Sequence, residues 1–333
     1  MIEVEHLTKR YGTHLAVSDL SFQIESGQIY GFLGPNGAGK STTMNIMTGC
    51  LSATEGHVRI GGYDIFEQPE KAKQLIGYLP EQPPLYQNET PLEYLRFVGE
   101  AKGLHGTELT AQIADAVART GIEKVQNRKI AALSKGYKQR VGIAQALLGK
   151  PEIIILDEPT VGLDPIQIIE IRDLIKELGQ THTVILSSHI LSEVQAVCEQ
   201  VLIIAKGRLV AFDAPEELER LLLASNGVTF RVEAAREDAE RILAQTDGLS
   251  GWTLETVDGV CSVTAELTNG QEAKAVCGRL TLAFAAEGLP VFEMRARKAG
   301  LEDVFLELTA PDTAEDPQAD PADPDEESEG DAP

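Results

Sequence analysis

Apolar runs of strand length alternate with stretches of helical period along most of this chain. Ile2 to Leu7 reads as an edge strand, and Leu20-Ser21-Phe22-Gln23-Ile24 alternates as a half-buried strand does. Ile29-Tyr30-Gly31-Phe32-Leu33 is apolar throughout and reads as a buried strand, followed by a helix from Thr42 to Thr48. Gly56 to Gly62 is a short strand bounded by turns, Lys71 to Leu75 is helical, and Ile76 to Leu79 is a strand. From Pro91 to about Leu148 the period is helical, with Pro91 at a first helical turn and Ile113, Ala114, Val117 and Ala118 on one face. Ile153-Ile154-Ile155-Leu156 is a fully buried strand. Helix (Pro165 to Leu178), strand (Thr183 to Ser187), helix (Leu191 to Val197) and strand (Val201 to Ile204) follow. This alternation predicts a parallel, doubly wound α/β sheet, with residues 91–148 as a helical insertion.

The pattern changes after the amphipathic helix Pro215 to Leu223. Val228 to Val232 (strand), Glu237 to Leu243 (helix), Trp252 to Val257 and Val260 to Leu267 (strands), Gln271 to Glu287 (helix) and Val291 to Arg295 (strand) run in the order βαββαβ. The two central strands meet at Asp258-Gly259, a hairpin signal, and the order is that of a small α+β ferredoxin-like unit. Leu301 to Leu308 reads as a short closing helix. From Pro311 onward the chain has ten Asp or Glu and no Lys or Arg, so it predicts a disordered acidic tail. The expected division is therefore residues 1–224, 225–309 and 310–333.

Charge and cysteine content narrow the reading. The net charge of -23 falls to -13 without the ten acids of the tail, an acidic balance that argues against nucleic-acid binding. Cys50, Cys198, Cys261 and Cys277 are scattered, without zinc or disulfide spacing, and are expected as reduced thiols. The opening Met1-Ile2-Glu3-Val4-Glu5 lacks the positive start of a signal peptide. No apolar run approaches the ~20 residues that cross a bilayer, so any membrane span must come from a partner.

The candidate chemistry starts at Gly34-Pro35-Asn36-Gly37-Ala38-Gly39-Lys40-Ser41, which fits the phosphate-cradling pattern at every fixed position and lies between a strand and a helix. Backbone N–H groups and the helix N-terminus there suit phosphate oxygens. Lys40 would reach the β- and γ-phosphates, and the Ser41 hydroxyl would hold Mg²⁺. Thr42 continues the cradle. Asp157-Glu158 ends a buried strand, where Asp157 suits Mg²⁺ and Glu158 suits the attacking water.

Further motifs share one order along the chain. They are Tyr11, Tyr78-Leu79-Pro80-Glu81-Gln82, Leu133-Ser134-Lys135-Gly136-Tyr137-Lys138-Gln139-Arg140, Gly162-Leu163-Asp164, and Ser187-Ser188-His189. With the phosphate loop, they make residues 1 to about 223 resemble the ATP-binding subunit of an ABC transporter. The resemblance implies the P-loop NTPase (ABC ATPase) fold with a helical subdomain. It implies ATP and Mg²⁺ as cofactors, Tyr11 stacked on adenine, and Glu158, His189 and Lys40 at the hydrolytic centre. Ser134 and Gly136 would meet the γ-phosphate held by a second subunit, in a homodimer with two composite sites. Glu81 stands where the family usually has Gln, so either Glu81 or Gln82 serves the Mg²⁺ site, and Lys135 and Tyr137 replace the usual Gly and Gln. The second unit and Leu301-Glu302-Asp303-Val304-Phe305 are similar to the C-terminal extension of exporter ATPases that serve ABC-2-type permeases; a plain dimer-stabilising appendage fits them too. The expected protein is an ATPase on the inner face of the cell membrane that powers export through a separate permease. A ribosome- or DNA-directed ATPase of the same family and an importer ATPase are the rivals.

Overall fold

The computed structural model describes residues 1–221, 227–268 and 271–297. In chain order it forms β1 (Ile2–Tyr11), β2 (His14–Ile24), β3 (Ile29–Leu33), α1 (Lys40–Met47), β4 (Glu55–Ile60), β5 (Tyr63–Asp64), α2 (Pro69–Gln74) and β6 (Ile76–Leu79). Three helices follow: α3 (Pro91–Ala101), α4 (Gly106–Thr120) and α5 (Lys135–Leu147). Then come β7 (Ile153–Leu156), α6 (Pro165–Gly179), β8 (Thr183–Ser188), α7 (Leu191–Gln195), β9 (Gln200–Ala205), β10 (Arg208–Asp213) and α8 (Pro215–Leu221).

The central sheet has the order β10-β9-β3-β8-β7-β6. Strands β9, β3, β8, β7 and β6 are parallel, and β10 pairs antiparallel to β9. The loops after β3, β6, β7 and β8 therefore all leave from one end of the sheet, the carboxyl end where open α/β sheets bind ligands. A second, antiparallel sheet of order β2-β1-β4-β5 covers this one, with Ile2, Val4, Leu20, Ile24 and Val58 buried against Phe32, Met44 and Ile155. β1 is thus an interior strand, paired on both sides, and not the edge strand its pattern predicts. A local pattern reports that a face is buried but not how many neighbours a strand has. β5 and β10 had no sequence prediction: β5 is two residues long, and β10 shows no fully buried position.

The helical insertion packs on the other side. Leu95, Leu109, Ile113, Val117, Val141 and Ile143 share a core with Leu79, Ile154 and Leu156. Thr90 starts α3 with a capping box: its hydroxyl accepts the Glu93 N–H and its N–H donates to Glu93 Oε2 at 2.8 Å.

Beyond residue 226 the described chain forms β11 (Gly227–Glu233), α9 (Arg236–Gln245), β12 (Leu249–Val257), β13 (Val260–Leu267), α10 (Ala273–Ala286) and β14 (Val291–Arg297). The sheet order β12-β13-β11-β14, all antiparallel, is the arrangement a ferredoxin-like unit requires. One sheet face meets α9 and α10 in a separate core of Val228, Phe230, Val263, Ile242, Leu280 and Phe284. The expected helix at Leu301 to Leu308 and the acidic tail lie outside the described residues.

Candidate nucleotide site

The loop after β3 turns sharply back into α1. Gly34 lies so close to the chain that a Cβ there would overlap the Ile204 carbonyl oxygen. Gly39 caps α1 at φ 105°, in the left-handed region, and a Cβ would lie 2.7 Å from the Ala16 carbonyl oxygen. Both positions need glycine. The curl aims the Lys40 side chain back along the loop: Nζ donates to the Gly34 carbonyl at 2.7 Å and the Pro35 carbonyl at 3.3 Å.

Acidic groups converge on this lysine from the neighbouring strand ends. Glu158 Oε1 is 3.7 Å from Lys40 Nζ. The Ser41 hydroxyl donates to Asp157 Oδ1 at 3.2 Å, and the Ser187 hydroxyl, at the end of β8, donates to the same oxygen at 2.6 Å. Glu158 has φ 47°, an uncommon conformation for a residue with a side chain, and its N–H donates to Ser187 Oγ at 2.7 Å. His189 Nδ1 lies 3.0 Å from Glu158 Oε2. Lys40 is only 6% exposed. Burial holds its pKa below the ordinary lysine value, against the opposing pull of Glu158, Asp157 and Glu81.

These groups open on a cavity of about 490 Å³. Asn36, Gly37, Ala38, Gly39, Lys40, Ser41 and Thr42 line it together with Glu81, Glu158 and His189. Tyr11 lines the rim, 49% exposed, with Lys9 Nζ 5.3 Å from its ring centre. Gly34 and Pro35 serve through their carbonyls, and Asp157 lies behind Ser41. Glu81 borders the cavity and Gln82 is not among its lining residues. The donor set near Ser41, a hydroxyl and carboxylates, is that of a hard cation. No group of three or more His, Cys, Asp or Glu forms a metal cage among the described residues.

Ser134 and Gly136 are not in this cavity. They line a second one of about 380 Å³, together with Tyr137, Arg140, Asp164 and Gln167. Ser134 caps α5, accepting the Tyr137 N–H at a long 3.4 Å. Gly136 faces the Gln167 side chain, where a Cβ would come within 2.7 Å. Lys135 has its ammonium against Gly162.

Sequence reasoning assigned no role to Ser187, His14, Ala16 or Val161. The last three line the first cavity, and Ser187 joins Asp157 to the Glu158 backbone. Only the position of Ser187 at the end of a buried strand could have flagged it.

Comparison with known proteins shows the family. A sequence profile of the family described as "ABC transporter" matches residues 17–161. The linearmycin resistance ATP-binding protein LnrL of Bacillus subtilis is 33% identical over 313 residues, covering 93% of this chain and 98% of that protein. The bacitracin transport ATP-binding protein BcrA of Bacillus licheniformis is 34% identical, covering 92% and 97%. A solved ATP-binding subunit of an ABC transporter superposes with a TM-score of 0.61 at 31% identity, over 67% of this chain and 93% of that one. The dimeric cassette MJ0796 gives 0.59 at 28% identity, over 64% and 98%. The fold and the phosphate loop define a P-loop ATPase. The chain belongs to the ATP-binding proteins of ABC transporters.

Proposed function

We propose that this chain binds and hydrolyses ATP between two copies of itself and so powers export through a separate membrane permease. Lys40 and the backbone N–H groups of residues 36–42 hold the phosphates, the Gly34 and Pro35 carbonyls position Lys40, and Tyr11 stacks on the adenine. Ser41 and Asp157, with Glu81, hold Mg²⁺, which when bound supplies positive charge to the phosphate oxygens. Glu158 takes the proton of the attacking water, and His189 steadies the charge that develops on the γ-phosphate. Ser134 and Gly136 of a second copy close the site from the opposite side.

The observation that carries the reading is the convergence of Lys40, Ser41, Asp157, Glu158 and His189 at one end of the central sheet, on one cavity. The separation of Ser134 and Gly136 from that cavity supports the two-copy site, because a phosphate bound in the first cavity of the same chain is not lined by them. Support for export comes from relatives whose names concern bacitracin transport and linearmycin resistance. Support for a permease comes from the Glu81–Tyr86 loop and α3, where the half-exposed rings of Tyr86 and Phe97 lie 5.2 Å apart beside Tyr94. No helix of the described residues is long and apolar enough to cross a membrane; the inner-face location follows from the proposed permease partner. We divide the chain at residues 1–224, 225–309 and 310–333; the first boundary is supported by the separate cores on either side of residue 226, and the second lies outside the described residues.

The test is ATP turnover and nucleotide binding by the Lys40→Ala variant. The reading expects turnover to vanish and binding to weaken. Unchanged turnover refutes the phosphate-loop assignment.

A further inference from the structure

Glu193 is a buried carboxylate that none of the roles above employs. It lies on α7 and is 5% exposed. Its Oε2 accepts two hydroxyl donors, Thr160 Oγ1 at 2.6 Å and Ser188 Oγ at 2.9 Å. The Ile190 N–H donates in turn to Ser188 Oγ at 3.0 Å, which closes a small network. A carboxylate removed from water is costly unless such bonds replace its hydration.

The two donors belong to different loops. Thr160 stands two residues after Glu158, in the loop that leaves β7. Ser188 stands immediately before His189, at the end of β8. These loops carry the two side chains whose contact, Glu158 Oε2 to His189 Nδ1 at 3.0 Å, faces the cavity. Glu158 holds a left-handed backbone conformation, which persists only where the surroundings impose it. The Ser187 hydroxyl fixes its N–H from one side. Glu193 fixes the chain two residues further on, from beneath both loops.

We propose that Glu193 is a positioning residue for hydrolysis: by binding Thr160 and Ser188 with one oxygen it locks the Glu158 loop to the His189 loop. The proposal rests on the assignment of Glu158 and His189 to the hydrolytic step. Glu193 does not border the cavity, and the phosphate loop holds nucleotide independently of it. Loosening this tie shifts the base relative to the attacking water and leaves the phosphate contacts in place. Misplacement of about 1 Å at a reacting centre costs up to ~100-fold in rate.

The experiment uses the full chain with ATP and Mg²⁺, comparing Glu193→Ala, Glu193→Gln, Thr160→Val and Ser188→Ala with the wild type. Turnover, KM, nucleotide affinity and Tm are measured for each. Glu193→Ala is expected to lower kcat by ~10- to 100-fold with nucleotide affinity within about twofold of wild type. Glu193→Gln keeps an oxygen that accepts both hydroxyls and is expected to recover most of the loss. Thr160→Val and Ser188→Ala are each expected to lower kcat less than Glu193→Ala, and neither adds to it when combined with it, as members of one network do not add. A wild-type kcat in Glu193→Ala overturns the proposal, as does an equal fall in kcat and affinity, or a Glu193→Gln variant as slow as the alanine. If Glu193→Ala fails to fold, the two hydroxyl variants decide: wild-type kcat in both overturns it. Failure of the underlying reading looks different, because Glu158→Gln would then turn over ATP normally, whereas a slow Glu158→Gln beside a normal Glu193→Ala overturns the tie alone.

Discussion

Lys40 carries the electrostatics of the site. Burial lowers its pKa, and three carboxylates nearby favour its charged form without restoring the ordinary value. An arriving triphosphate adds far more negative charge, so binding favours the protonated amine. The sign follows: a base with a lowered pKa loses its proton at lower pH than a free lysine, and the neutral form has no charge to offer phosphate. ATP affinity is therefore expected to hold below that lowered pKa and to fall as pH rises through it, before the ordinary lysine value of 10.5. In the same range binding takes up a proton, which calorimetry in buffers of different ionisation heat detects. Affinity that stays flat up to 10.5 contradicts this account of Lys40. Residues of this kind were legible in the sequence because their spacing is fixed by chemistry. Ser187 and Glu193 were not, because a serine at a strand end and a glutamate in a short helix have no spacing of their own. Their roles appear only when the sheet brings β7 and β8 side by side.

Two helix caps separate structure from function at the scale of elements. Thr90 caps α3 and is reinforced by Glu93, which accepts both the Thr90 N–H and its hydroxyl at 2.8 Å. Ser134 caps α5 with one bond of 3.4 Å, near the limit of a useful hydrogen bond, so its hydroxyl remains available to an anion. Thr90→Ala is expected to cost about 1 kcal/mol of stability, read as a lower Tm, with ATP turnover retained. Ser134→Ala is expected to lower Tm less and turnover more. The opposite ranking contradicts the assignment of Ser134 to a phosphate. Most elements were legible from hydrophobic period: the buried run Ile153–Leu156, the amphipathic α4 and the hairpin at Asp258-Gly259 all lie where their patterns predict. What stayed hidden was pairing. The interior place of β1 and the antiparallel edge β10 depend on partners distant along the chain, and no local window contains them.

At the scale of the molecule, the proposed site is divided between two cavities. The phosphate loop lines one, at the carboxyl end of the central sheet, and Ser134 and Gly136 at the tip of α5 line the other. Two copies facing each other would satisfy both, through a symmetric pair of sites. In the proposed reading, the exposed Tyr86 and Phe97 would give the pair an apolar contact for a second kind of partner. Purification from the native membrane is expected to bring down a multi-span protein with this chain. Co-sedimentation with ribosomes instead would favour the rival reading.

The most direct test of the two-copy site is the mass in solution of the Glu158→Gln variant, measured by light scattering with and without ATP and Mg²⁺. In the proposed reading that substitution removes the base and leaves the phosphate contacts, so ATP would stay uncleaved between the copies. The account predicts a monomer without nucleotide and a dimer of twice the mass with it. A monomer under both conditions contradicts it.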